Sequence, residues 1–322
     1  AVDIVVANDT VQDMLFRNQG DGRFEELGSL AGIAFDVEGN ARGAMGIDIA
    51  RFRNDADLGV VIGNFANEMT ALYVARGGQL QFKDDAVSSG LGPPTRLELT
   101  FGVLFADIDL DGRLDILSAN GHLEEDINKV QKTQTYEQPP KLYWNCGREH
   151  STEFLPVPSS NVGNDFSRPM VGRSLATADI DGDGDLDCVI TASGGRPRLL
   201  RNDQSVGHHW LRLRLVGRPP NPEAIGAVIE LHQRPSDGAG SDGVQTRFVS
   251  PTRGYQSQCE LPVTFGLGPS PADTAPTRTI SIRWPDGSST SHVELACDRL
   301  HVIVQNDAPS ATDPTTGEAD TP

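Results

Sequence analysis

Two stretches of the chain carry carboxylates at a spacing that can do metal chemistry: Asp107-Ile-Asp109-Leu-Asp111-Gly112-Arg113-Leu-Asp115 and Asp179-Ile-Asp181-Gly-Asp183-Gly184-Asp185-Leu-Asp187. In both, acids stand at loop positions 1, 3, 5 and 9, with glycine at position 6. Side chains at alternate positions of a tight loop converge on one point. Their mutual repulsion there is unfavourable unless a hard, oxygen-seeking cation sits among them, and the glycine permits the turn. Such loops are expected to bind Ca2+. Position 12 is Ser118 or Ile190 rather than a bidentate glutamate, and an apolar strand pattern follows instead of a helix, which excludes the helix-loop-helix type of calcium site.

Other groups that could do chemistry have blander readings that we prefer. His122, with Glu124, Glu125 and Asp126 close by, has the composition of a general base or a transition-metal ligand set, but reads more simply as a solvated histidine at a strand end. His208 and His209 mark a domain junction. The block Arg253-Gly254-Tyr255-Gln256-Ser257-Gln258 could hold a glycan by stacking, but reads better as a fixed turn with its tyrosine packed inward. No nucleophile elbow, phosphate-binding glycine loop, zinc-protease helix or zinc cluster is present in the sequence, so enzymatic function is not expected.

The elements around the loops repeat. After each loop comes an apolar strand, a turn, and a second strand ending in asparagine: Leu142-Tyr143-Trp144-Asn145 and Leu199-Leu200-Arg201-Asn202, with an earlier copy at Leu15-Phe16-Arg17-Asn18 and a weaker one at Leu72-Tyr73-Val74-Ala75. A third strand with a single aromatic follows, as at Phe24 and Phe82. Each repeat is thus a small antiparallel sheet. In the second repeat the loop is Arg51-Phe-Arg53-Asn-Asp55-Ala-Asp57-Leu-Gly59. Arginines replace positions 1 and 3 and glycine replaces position 9, so this loop should bind no calcium and its guanidinium groups should pair with Asp55 or Asp57. The polar stretch 121–141 reads as a long surface insertion. Asp3-Ile4-Val5-Val6 matches position 9 and the strand after it, so the chain is expected to begin inside a repeat, N-terminally truncated, with further blades and a signal peptide upstream.

From about Asp203 the repeat stops. His209-Trp210-Leu211-Arg-Leu213-Arg-Leu215 and Ile280-Ser-Ile282-Arg-Trp284 alternate strictly, as half-buried strands do. They indicate a separate β domain over 203–305, followed by a tail, 306–322, rich in Ala, Asp, Pro and Thr and expected to be disordered. The net charge of -18 argues against nucleic acid or an anionic membrane surface as partner. No apolar run is long enough to insert in a membrane as a helix. Four cysteines lack metal spacing; they read as buried thiols, with Cys259 and Cys297 near enough in sequence to form a disulfide if the protein is exported.

The Asp loops with their strands resemble FG-GAP or VCBS repeats, the blades of integrin-type β-propellers. Ile225-Gly226-Ala227-Val228-Ile229-Glu230-Leu231, the Arg253–Gln258 block, Phe265-Gly266-Leu267-Gly268 and Ile282-Arg283-Trp284-Pro285-Asp286-Gly287 are similar to the ASPIC/UnbV domain. The pairing resembles the cartilage acidic protein family and its bacterial relatives. The fold implied is all-β: a partial propeller of about four blades over 1–202 and a small sandwich-like domain. Carried over by position, the calcium ligands are Asp107, Asp109, Asp111 and Asp115 with the Arg113 carbonyl, and Asp179, Asp181, Asp183 and Asp187 with the Asp185 carbonyl. The implied role is an extracytoplasmic, secreted or surface-exposed recognition or adhesion module for a protein or carbohydrate ligand. The alternatives are a propeller lyase or hydrolase acting on polysaccharide, and a structural spacer in a surface assembly.

Overall fold

A computed structural model describes residues 2–148, 150–234, 243–269, 277–293 and 295–305. The tail expected to be disordered lies outside the described residues. The apolar runs between turn signals form antiparallel sheets in chain order. The first comprises β1 (Ile4–Val6), β2 (Met14–Asn18) and β3 (Phe24–Glu26); the second, β4 (Ala44–Ala50), β5 (Leu58–Asn64), β6 (Ala71–Ala75) and β7 (Phe82–Asp84). The third comprises β8 (Thr100–Ala106), β9 (Asp115–Asn120), β10 (Lys141–Asn145) and β11 (Phe154–Pro156); the fourth, β12 (Gly172–Ala178), β13 (Asp187–Ala192) and β14 (Arg198–Leu200). These are four blades of a partial β-propeller, with β4, β8 and β12 side by side as the innermost strands.

Strand periodicity explains how one strand serves two interfaces. Val60 and Ile62 face the first blade, where they join Leu15 and Tyr73, whereas Val61 faces the third, where it joins Phe52, Phe105 and Phe154. Leu117, Leu175 and Ile190 fill the next interface. Middle blades are therefore apolar on both faces, which is why β8 reads as an unbroken hydrophobic run instead of an alternating one. The innermost strands approach so closely that a Cβ on Gly46 would lie 2.0 Å from the Phe101 carbonyl oxygen.

The repeat alignment is confirmed by pairing register: Ala50 faces Gly59, Ala106 faces Asp115 and Ala178 faces Asp187. The terminal asparagine of each repeat is explained as well. Its backbone N–H donates to the position 9 carboxylate at 2.8 Å in Asn18 to Asp3, Asn145 to Asp115 and Asn202 to Asp187. The side chains of Asn145 and Asn202 donate to carbonyls of the preceding blade, Phe52 at 3.2 Å and Ile108 at 2.8 Å. Aspartate and asparagine thus form one device that closes a blade and ties it to its neighbour. The second blade has lost both halves together, with Gly59 and Ala75 in their places.

The second domain is a sandwich. One sheet orders β20 (Val263–Gly268), β15 (His209–Val216) and β23 (Leu300–Val304); the other orders β17 (Gly243–Phe248), β16 (Val228–Arg234), β21 (Thr277–Arg283) and β22 (Ser289–Val293). Leu211, Leu213 and Leu215 point inward against Ile229, Leu231, Phe265, Ile282 and Trp284, as the alternation requires. A short hairpin, β18 (Thr252–Arg253) with β19 (Ser257–Gln258), leaves this sandwich and lies across the innermost propeller strands.

One expectation needs correction. Cys297 packs against the sandwich core, whereas Cys259 packs with Cys188 in the propeller and accepts a hydrogen bond from the Thr177 N–H at 3.4 Å. The two thiols belong to different cores and do not pair; all four cysteines are free. The 121–141 stretch is the expected surface insertion, exposed at most of its positions, and its ends are anchored. Gln138, which is buried, accepts the Leu99 N–H at 2.9 Å, and Gly121 bridges Glu137.

Candidate metal centre

In the third blade the loop joins β8 to β9, and its carboxylates converge as the spacing demands. Oxygens of Asp107, Asp109 and Asp111 lie within 4.8 Å of one another. That is the span of a calcium shell, in which opposite oxygens at 2.3–2.6 Å from the ion stand about 5 Å apart. Asp107 Oδ2 accepts the Gly112 N–H at 3.0 Å and the Gly266 N–H at 3.1 Å, but its Oδ1 is buried with no partner. An orphaned anionic acceptor in an all-oxygen cluster fits a hard cation.

Electrostatics point the same way. Burial, with repulsion from Asp111 and Asp109 and only partial relief from Arg247, pushes the Asp107 carboxyl up to about 7. Burial and Asp109 also raise Asp111 and Asp115. The cluster is unfavourable as bare anions.

The remaining residues of this loop are occupied differently. Asp115 spends Oδ2 on the Ile108 N–H at 3.1 Å and Oδ1 on the Asn145 N–H, so it braces the loop. The Arg113 side chain pairs with Asp111 and donates from Nε to the Asn145 carbonyl at 2.8 Å; its own carbonyl is a ligand candidate by loop position alone. Trp144 Nε1 donates to Asp109 at 3.1 Å.

The fourth-blade loop, between β12 and β13, brings together Asp179, Asp181 and Asp187. Asp183 accepts the Asp185 N–H at 3.2 Å and belongs to the outer part of the loop. Burial and the Asp183 carboxylate push Asp185 up to about 7, and its Oδ1 is buried and unpartnered. Asp179 has no free oxygen: Oδ1 accepts the Gly182 N–H at 2.7 Å, and Oδ2 accepts both the Gly184 N–H at 3.2 Å and the Arg212 guanidinium.

In the degenerate loop, Arg53 binds Glu153 through two bonds of 2.8 and 2.7 Å and Asp57 at 3.2 Å. The expected pairing with Asp57 is present, whereas Asp55 pairs with Arg148 at 3.5 Å. A guanidinium here takes the part that a cation would take elsewhere.

Sequence reasoning missed the most consequential neighbours, which come from the second domain. Arg247 donates to the Gly112 carbonyl at 3.3 Å, the His208 ring nitrogen lies 2.6 Å from the Asp109 carbonyl, and Trp210 lies over Gly184. Arg253 binds Asp48 and the Phe105 carbonyl, Gly254 donates to the Ile47 carbonyl at 3.0 Å, and Tyr255 stands edge-on to Phe101. The Arg253–Gln258 block is therefore a fixed turn with its tyrosine packed inward, and what it packs on is the propeller. No signal in the sequence marks these partners, because all but Trp210, 26 positions from Gly184, lie 99 or more residues from the group they touch.

His122 is buried instead of solvated. Its Nδ1 accepts the Glu124 N–H at 3.0 Å, its ring stands edge-on to Phe65, and burial lowers its basicity. Glu124, Glu125 and Asp126 point to solvent, so no acid–base constellation forms around it.

Residues 217–310 match the family model described as ASPIC and UnbV, and residues 171–207 match the FG-GAP repeat. The two resemblances read from the residues are thus borne out, in the same order along the chain. The chain is similar to Cartilage acidic protein 1 of Xenopus tropicalis, at 27% identity over 294 residues, which cover 89% of this chain and 40% of that protein. It is also similar to the human protein of the same name, at 27% identity, covering 95% of this chain and 42% of that protein. The chain spans about two-fifths of the length of these curated relatives. Among solved structures, a GH32 beta-fructofuranosidase of Bombyx mori aligns at 13% identity with a TM-score of 0.34, covering 91% of this chain and 71% of that one. A likeness that loose has no bearing on chemistry.

Proposed function

We propose that this chain is a recognition module of an extracytoplasmic protein, with a propeller stiffened by Ca2+ and no reaction of its own. The observation that carries the metal is the Asp107, Asp109 and Asp111 cluster with its orphaned, buried Asp107 oxygen. The recognition role is supported by the FG-GAP and ASPIC/UnbV matches and by His122 being locked in packing. Among the described residues no helix is long and apolar enough to cross a membrane. The ligand is a protein or a carbohydrate held by loops on the propeller surface. Apolar side chains lie exposed on the outer faces of the first and fourth blades, Ile4 and Phe24 on one, Ile180, Val189 and Leu199 on the other. Further blades of the same protein would cover them.

At millimolar Ca2+ a site with Kd on the order of 0.1–1 mM adds about 0.7–2 kcal/mol by mass action. Chelation should therefore lower the melting temperature by a few degrees, and the paired change Asp109→Ala with Asp181→Ala should abolish that response. A melting temperature indifferent to Ca2+ in the unmodified chain would end the metal assignment. A glycan array read beside a polysaccharide turnover screen tests the rest: binding without turnover is expected, and turnover lost on His122→Ala would overturn it.

A further inference from the structure

We infer that the two acidic loops are not equivalent: Arg212 of the second domain stands in for the cation at the fourth-blade loop, so that with the domains docked only the third-blade loop takes a divalent cation. This rests on the Ca2+ reading above and sharpens it. The third-blade loop qualifies as a site because Asp107, one of its three clustered carboxylates, keeps a buried Oδ1 without a partner.

Arg212 lies on β15 between the inward-facing Leu211 and Leu213, at a position the alternation assigns to solvent. Its side chain is nevertheless only 6% exposed. The guanidinium donates to Asp179 Oδ2 and Glu260 Oε1, and Nε donates to Thr264 Oγ1 at 3.1 Å. Glu260 Oε1 also accepts the Asp179 N–H at 3.1 Å, so arginine, glutamate and loop position 1 form one closed network. A second guanidinium, from Arg201, lies 3.6 Å from Asp181.

A cation bound through Asp179 Oδ2 would sit about 2.4 Å from that oxygen, and so within about 5 Å of the Arg212 nitrogen that pairs with it. The two positive charges would lie close together at the buried Asp179 end of the site, where they are screened less than in bulk solvent. Arg247 offers the informative contrast at the third blade. Its terminal nitrogen stays 3.9 Å from Asp107 Oδ2 and is bonded instead to the Gly112 carbonyl and to Gln245 Oε1 at 3.1 Å. There Arg247 is near but leaves Asp107 Oδ1 without a partner, and the guanidinium that does pair with the cluster, Arg113 on Asp111, comes from the loop itself and is 37% exposed. The second blade uses the first solution within its own loop, where Arg53 satisfies Glu153 and Asp57.

The test is calorimetric titration of the full chain with Ca2+. The unmodified chain should bind one cation in the submillimolar range, lost in Asp107→Asn and kept in Asp179→Asn. Arg212→Gln should gain a second site, bound at least about tenfold more tightly than in the unmodified chain. If the unmodified chain binds no Ca2+, the metal reading fails and this inference with it. Two sites of similar affinity in the unmodified chain, or no second site in Arg212→Gln, would leave the metal reading standing and overturn the inference alone. Should Arg212→Gln not fold, the aspartate variants decide: binding lost in Asp179→Asn and kept in Asp107→Asn reverses the assignment.

Discussion

Replacing Arg253 with alanine should weaken the seam between propeller and sandwich more than any other single surface-loop change. Arg253 Nε lies 3.1 Å from Asp48 Oδ1, its terminal nitrogen lies 2.5 Å from Oδ2, and the same nitrogen reaches the Phe105 carbonyl at 2.6 Å. The Asp48 side chain is 5% exposed; without the arginine its carboxylate keeps only the Phe105 N–H, at 2.8 Å. Removing one partner of a buried ion pair costs about 3–5 kcal/mol, because the other charge is left desolvated. A quarter of the Arg253 side chain still meets solvent, at 25% exposure, so about 2–4 kcal/mol is the better expectation. The assay is urea denaturation of four proteins: unmodified, Arg253→Ala, Asp48→Asn and the double variant. Neutralising Asp48 removes the stranded charge, so the double variant should cost less than the sum of the singles by roughly 1–3 kcal/mol. A loss under about 1 kcal/mol in Arg253→Ala, or strict additivity, would refute the claim that this pair holds the interface.

Two further outcomes follow from the same packing. Burial, offset only in part by Lys141 at 3.5 Å and the Tyr143 hydroxyl, pushes the Glu98 carboxyl up to about 7 from an ordinary 4.5. The folded state then holds the proton more tightly than the unfolded chain, so this contribution is complete below the unfolded value and is lost as pH rises toward 7, by on the order of 2–3 kcal/mol. Glu98→Gln should remove that fall, seen as a smaller difference in urea midpoint between acidic and neutral pH; an unchanged difference would count against it. Gly184→Ala would place a Cβ 1.9 Å from the Trp210 ring at a backbone φ of +98°, which displaces the tryptophan from the loop. Trp210 emission should shift to the red against a Trp210→Phe control, and unshifted emission would show that the loop does not carry the second domain.

The parts of the fold legible in the sequence were those set by short-range pattern. Leu211, Leu213 and Leu215 face the sandwich core because alternation leaves them no other side, and the Asp loops close because glycine and alternate carboxylates dictate a tight turn. The asparagines ending each repeat were visible as a motif, but their partner, the position 9 aspartate, was not, since the bond joins residues 15 or 30 apart through a register known only after folding. His122 illustrates the opposite failure. Charged neighbours in sequence suggested solvent, yet the ring packs on Phe65, 57 positions away, while the acids turn outward.

By itself the sequence determined the repeat, most of the carboxylates that converge though not that Asp115 and Asp183 stand apart, the loop that lost its acids, and the alternating strands of a second domain. Each is a property of residues within about ten positions of one another, where backbone geometry leaves little choice. Only the tertiary structure decided what covers the loops. Arg212 and Arg214 occupy equivalent outward positions on one strand, yet one is buried on Asp179 and the other is exposed. That difference arises from how the second domain docks across the innermost strands.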